Sequence, residues 1–86
     1  MVKRHRVQVT AVDIMYGKRH EPYACPIALA IKRQIPEAQN VAVRRNVVRW
    51  GEGCWATMSR AGQRFVRRYD DGREVKPITI VLTEEA

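Results

Sequence analysis

The chain has little of what most specialised protein classes require. Two cysteines, Cys25 and Cys54, in 86 residues are too few for a disulfide scaffold, and free thiols in a reducing setting are expected. No apolar run approaches the ~18 residues of a membrane span, so no membrane role is expected. The opening run Met1-Val2-Lys3-Arg4-His5-Arg6 has no apolar core of the secretory-signal kind, and the expectation is a cytoplasmic protein. The close Cys–Cys or His–His spacings of a metal site are missing, and no metal ligand set is expected. No glycine-rich nucleotide-binding pattern occurs, so no cofactor is expected; Gly51-Glu52-Gly53 reads as a hairpin turn. No spacing pairs either cysteine with His5 or His20, and catalysis is not expected. Cys25 opens a helix, where the dipole lowers a thiol pKa, but a small buried cap residue is the plainer reading.

Acidic residues are also scarce. Nine carboxylates face sixteen lysines and arginines, for a net charge of +7. The imbalance is uneven along the chain. Residues 1–69 carry fourteen basic residues against four acids, whereas residues 70–86 carry two against five. The acidic end either solvates the terminus or shields part of the basic surface. Hydrophobic residues make up 45% of the chain, enough for one small core and too many for a disordered arm.

Periodicity supplies the elements. Residues 3–9 alternate, with His5, Val7 and Val9 on one face and Arg4, Arg6 and Gln8 on the other, as in a half-buried strand. Thr10 and Asp13 form a capping-box-like pair that opens a short helix over residues 11–16, and Gly17 takes a left-handed cap position. A second helix starts at Cys25-Pro26, buries Ile27, Ala30, Ile31 and Ile35, and ends at Pro36. Three short strands follow over 41–44, 47–50 and 54–58, joined by turns at Arg45-Asn46 and at Gly51-Glu52-Gly53. A third helix over 60–71 has Ser59 as its cap and Gly72 as its stop, and a last strand begins at Ile78.

These elements predict a single α+β domain of order β-α-α-β-β-β-α-β. One mixed or antiparallel sheet carries helices on one face, with the first and last strands pairing in its middle. The first two helices are joined by about seven polar residues, too long for the turn of a helix-turn-helix.

The third helix carries the clearest functional signal. At ~100° per residue, Arg60, Arg64, Arg67 and Arg68 fall on one side, opposite Ala61, Gly62, Phe65, Val66 and Tyr69. Arg44, Arg45 and Arg49 add guanidiniums on the strand meander, and guanidinium forks match phosphate oxygens bidentately. Trp50 and Trp55 flank the glycine hairpin, where an exposed indole can stack on a base; core packing is the alternative for both. The expected ligand is DNA or RNA, bound mainly through the backbone.

Three segments also resemble a family of small bacteriophage- and prophage-encoded proteins of unestablished activity. They are Val9-Thr10-Ala11-Val12-Asp13-Ile14 with Gly17, then Ala24-Cys25-Pro26-Ile27-Ala28-Leu29-Ala30. The third is Phe65-Val66 with Tyr69-Asp70-Asp71-Gly72-Arg73, Val75 and Pro77. The resemblance implies a phage origin and expression inside a bacterial host cell, and brings no site residues. It leaves two further expectations beside nucleic acid. One is a host-takeover or defence-inhibiting protein that binds a bacterial protein. The other is an auxiliary virion protein or small homo-oligomer joined through edge strands.

Overall fold

A computed structural model describes residues 2–44 and 46–85. Its elements run β1 (Val2–Val9), α1 (Ala11–Tyr16), α2 (Pro26–Gln34), β2 (Ala42–Arg44), β3 (Val47–Trp50), β4 (Cys54–Met58), α3 (Arg60–Asp70) and β5 (Ile78–Glu85). The five strands form one antiparallel sheet in the order β1-β5-β4-β3-β2. The α+β class and the element order are those the sequence predicts. The place of β1 is corrected: it pairs with β5 as expected, but it lies at the edge of the sheet rather than in its middle.

The core lies between one sheet face and the helices. Strand residues Val7, Val9, Val48, Ala56, Met58, Ile80 and Leu82 point into it, and α2 closes it with Ile27, Ala28, Ala30 and Ile31. The alternation in β1 and β5 is the cause. Val7 pairs with Ile80, and Val9 with Ile78, so the apolar sets of the two strands share one face. α3 seats on the same side: Phe65 is buried, and Gly62 lies so close to Met58 that an added Cβ would stand 3.0 Å from its Sδ. The opposite face of the sheet carries no helix.

Local caps explain where the helices begin and end. The capping box is present: the Asp13 N–H donates to Thr10 Oγ1 at 3.4 Å, and the Thr10 N–H donates to Asp13 Oδ2 at 2.9 Å. α3 stops through paired bonds from the Gly72 N–H to Tyr69 O and from the Arg73 N–H to Arg68 O. That is a Schellman ending, with Gly72 at φ 78°. Two sequence expectations are corrected. Gly17 is extended at φ −69°, not left-handed; a Cβ there would lie 2.6 Å from the Pro26 ring. Ser59 precedes α3 but makes no cap bond, because its Oγ accepts the Val81 N–H at 3.2 Å instead.

Candidate nucleic-acid interface

α3 is held by its apolar side. Phe65 stacks on Tyr69 with ring centres 6.2 Å apart, and the Tyr69 hydroxyl donates to Gly17 O at 2.7 Å, tying the helix to the end of α1. With that side fixed, Arg60, Arg64, Arg67 and Arg68 are all exposed. Arg60, Arg64 and Arg68 recur every four residues, a rise of ~6 Å per step, so they line one edge of the helix. Among the described residues, a carboxylate pairs with a lysine or arginine only at Asp13 and Arg33, and Glu84 lies 3.2 Å from the His5 ring. The four α3 guanidiniums therefore reach solvent without a carboxylate partner.

The last part of the acidic end enters the sheet as β5, where Glu84 meets His5 at 3.2 Å. Asp70 sits in the last turn of α3 and accepts the His20 N–H at 3.0 Å. Acids lie on both flanks of the arginines. Glu74 lines a groove of about 570 Å³ with Arg64, Arg68 and Lys76, between α3 and the segment leading into β5, and Asp70 and Asp71 line another cavity with Arg67.

The remaining predicted residues do not join this surface. Register places Arg44 opposite Val47, and Arg49 opposite Trp55. By alternation both arginines point away from the core, on the outer sheet face, yet they also line, with Val66 and Asp70 of α3, a cavity of about 550 Å³. Arg45 lies outside the described residues. Trp55 is 41% exposed on that same face. Trp50 is corrected to a core residue: it is 6% exposed and meets the His5 ring edge-on, with centres 6.2 Å apart. The expected basic patch is thus divided, with Arg44 and Arg49 meeting α3 at Val66 and Asp70 rather than beside its arginines.

The structure also brings in residues that the sequence reading left out of the site. Arg4 and Arg6 are exposed on β1, and the β1–β5–β4 register puts them on the face that holds Trp55 and Arg49. Their alternation with Val7 and Val9 marked them as outward; only the strand order shows what they lie beside.

Cys25 fills the helix-cap role. Its Sγ accepts the Ala28 N–H at 3.4 Å, and burial pushes its thiol pKa up, opposite to the shift that would activate a nucleophile. Cys54 is exposed at the start of β4. Among the described residues, no helix is long and apolar enough to cross a membrane. Comparison with protein-family models, with curated proteins and with solved structures finds no match to this chain.

Proposed function

We propose that this is a small basic, phage-encoded protein that acts inside the bacterial host by binding nucleic acid electrostatically through the arginine edge of α3. One observation carries the reading: four guanidiniums project from one side of a well-anchored helix, and among the described residues none forms an ion pair. Fixed arginines of this kind suit phosphate oxygens and contact the backbone without reading bases. The test is the double substitution Arg64→Glu and Arg67→Glu. Both side chains are exposed and outside the core, so the far-ultraviolet spectrum and melting temperature should hold. Affinity for a labelled duplex should fall by about tenfold or more at low salt. Unchanged affinity in the folded variant removes α3 from the interface.

A second reading has its own observation. Val12, Met15 and Tyr16 on α1 are 57%, 73% and 70% exposed, and Tyr23 is 54% exposed. Large apolar side chains clustered on a surface favour a protein partner. Under that reading, Met15→Glu with Tyr16→Glu should release a host protein recovered from nuclease-treated lysate, while leaving duplex binding unchanged.

A further inference from the structure

The helix-free face of the sheet has a composition unlike a surface left only to meet water. Trp55 is on the third of five strands, next to the β3–β4 turn, and is 41% exposed. An indole of that size is normally withdrawn from solvent unless something covers it. Arg49 is its direct cross-strand neighbour on β3, at the ~5 Å Cβ separation typical of such pairs. One row further along, register aligns Arg44, Val47, Thr57, Thr83 and Arg4 across all five strands. At ~4.8 Å per strand, that row places the backbones of Arg44 and Arg4 ~19 Å apart, on either side of a floor of Val47, Thr57 and Thr83. Arg6 adds a fourth arginine beside Val81. Among the described backbone positions, Glu85 is the one acid assigned to this face; it pairs with Val2, and the Ala56–Glu84 pairing brings it alongside Trp55.

We infer that this face is a second nucleic-acid surface, one that takes a single strand with Trp55 as its stacking platform. The chemistry selects the ligand. Arginines on both flanks supply anchors for a polyanion, and the threonine floor leaves room for a backbone to lie flat. The indole offers its π-face to a base, which is available only when that base is unpaired. A duplex hides its base faces and would engage the arginines alone. A protein partner of ordinary composition would need a wider apolar area than one indole among threonines. Trp55, Arg4 and Arg6 share no cavity with the α3 arginines, and Arg44 and Arg49 meet α3 only at Val66 and Asp70, so either surface can fail without the other.

The experiment titrates a labelled oligothymidylate of about ten nucleotides, and separately a duplex, against the full chain and four variants. The variants are Trp55→Ala, Trp55→Phe, Arg4→Glu with Arg49→Glu, which should lose single-strand affinity, and Arg64→Glu with Arg67→Glu. Tryptophan fluorescence is followed alongside anisotropy. Trp50 is buried, so quenching on addition of the single strand reports Trp55. The expected results are quenching in the parent chain and a loss of single-strand affinity between about fivefold and a hundredfold in Trp55→Ala. Much of that affinity should return in Trp55→Phe, and duplex affinity should be unchanged in both Trp55 variants. The Arg64→Glu, Arg67→Glu variant should show the reverse pattern. Single-strand affinity equal in the parent chain and in Trp55→Ala overturns the inference. So does the absence of oligothymidylate binding at low salt, which would leave the face to a protein.

Discussion

A single carboxylate decides how α1 is joined to the rest of the molecule. Asp13 is buried, yet its pKa lies below the ordinary aspartate value. Burial alone pushes it upward; the Thr10 N–H and the Arg33 guanidinium outweigh that effect. Arg33 grips both oxygens, at 2.8 and 3.1 Å, so α2 is bonded to the first turn of α1. The sign of the linkage follows. A depressed folded-state pKa contributes stability above the unfolded carboxylate pKa, and that contribution disappears as pH falls through the folded value. Arg33 is itself about half exposed, which screens the ionic share. Asp13→Ala should therefore cost about 1–3 kcal/mol at neutral pH, mostly through the lost cap and the orphaned donors. Denaturant titrations at stepped pH should show the variant losing less stability than the parent chain between about pH 5 and pH 2. Gly17 presents a different constraint at the same scale. Its φ is ordinary, so backbone strain is no reason for glycine; the Pro26 ring is. Gly17→Ala should cost about 1–3 kcal/mol by overpacking, measurable as a lowered melting temperature.

The elements meet at edges that must be closed, and α2 closes one of them with a side chain. Gln34 Oε1 accepts the Gln8 N–H at 2.9 Å, and its Nε2 donates to Gln8 O at 2.7 Å. This amide stands in for a neighbouring strand. Gln8 therefore turns its backbone groups away from β5, and by alternation Arg6 and Arg4 do the same. At the far edge, the Val43 N–H donates to Pro22 O at 2.9 Å, so the loop before α2 covers β2. Gln34→Ala should uncover the β1 edge at Gln8, and sedimentation velocity across a concentration series should show more self-association than the parent chain. The Arg33 Nη2, which also reaches Gln8 O at 3.1 Å, limits the effect. Most of these elements were legible in the sequence because each carries its own signal. Thr10 and Asp13 open α1, Pro26 opens α2, and glycines bracket the β3–β4 turn. Strand order was not legible. β1 and β5 alternate equally well wherever they stand, and nothing in Val7 or Ile80 says which strand is the edge. Ser59 misled for a related reason: its hydroxyl was claimed by Val81, a residue distant in sequence.

Across the whole molecule, charge is sorted onto two sides of a thin body. The domain measures 36 × 22 × 18 Å, with the α3 arginines on the helical side, Arg4 and Arg6 on the outer sheet face, and Arg44 and Arg49 where that face meets the flank of α3 at Val66 and Asp70. The α3 half of this arrangement was legible, because helical period alone separates Arg64 and Arg67 from Phe65 and Tyr69. The sheet half was partly legible. Arg49 between Val48 and Trp50 marks that pair as inward, so the two-residue period could have sent Trp50 to the core. Trp55 needed its place beside Arg49, which a hairpin register supplies and composition does not. The separation of the two sides bears on how affinity should respond to salt. If α3 neutralises phosphates through its own guanidiniums, each lost contact lowers the log–log salt slope on duplex by ~0.9. Arg64→Gln with Arg67→Gln should then reduce the slope by ~1.8. Lys3→Gln with Lys18→Gln removes the same net charge from outside α3 and should leave the slope nearly unchanged. A general attraction set by net charge predicts equal changes in the two variants. Anisotropy titrations at four or more salt concentrations distinguish a localised interface from a diffuse one, because only a localised interface depends on which two positive charges are missing.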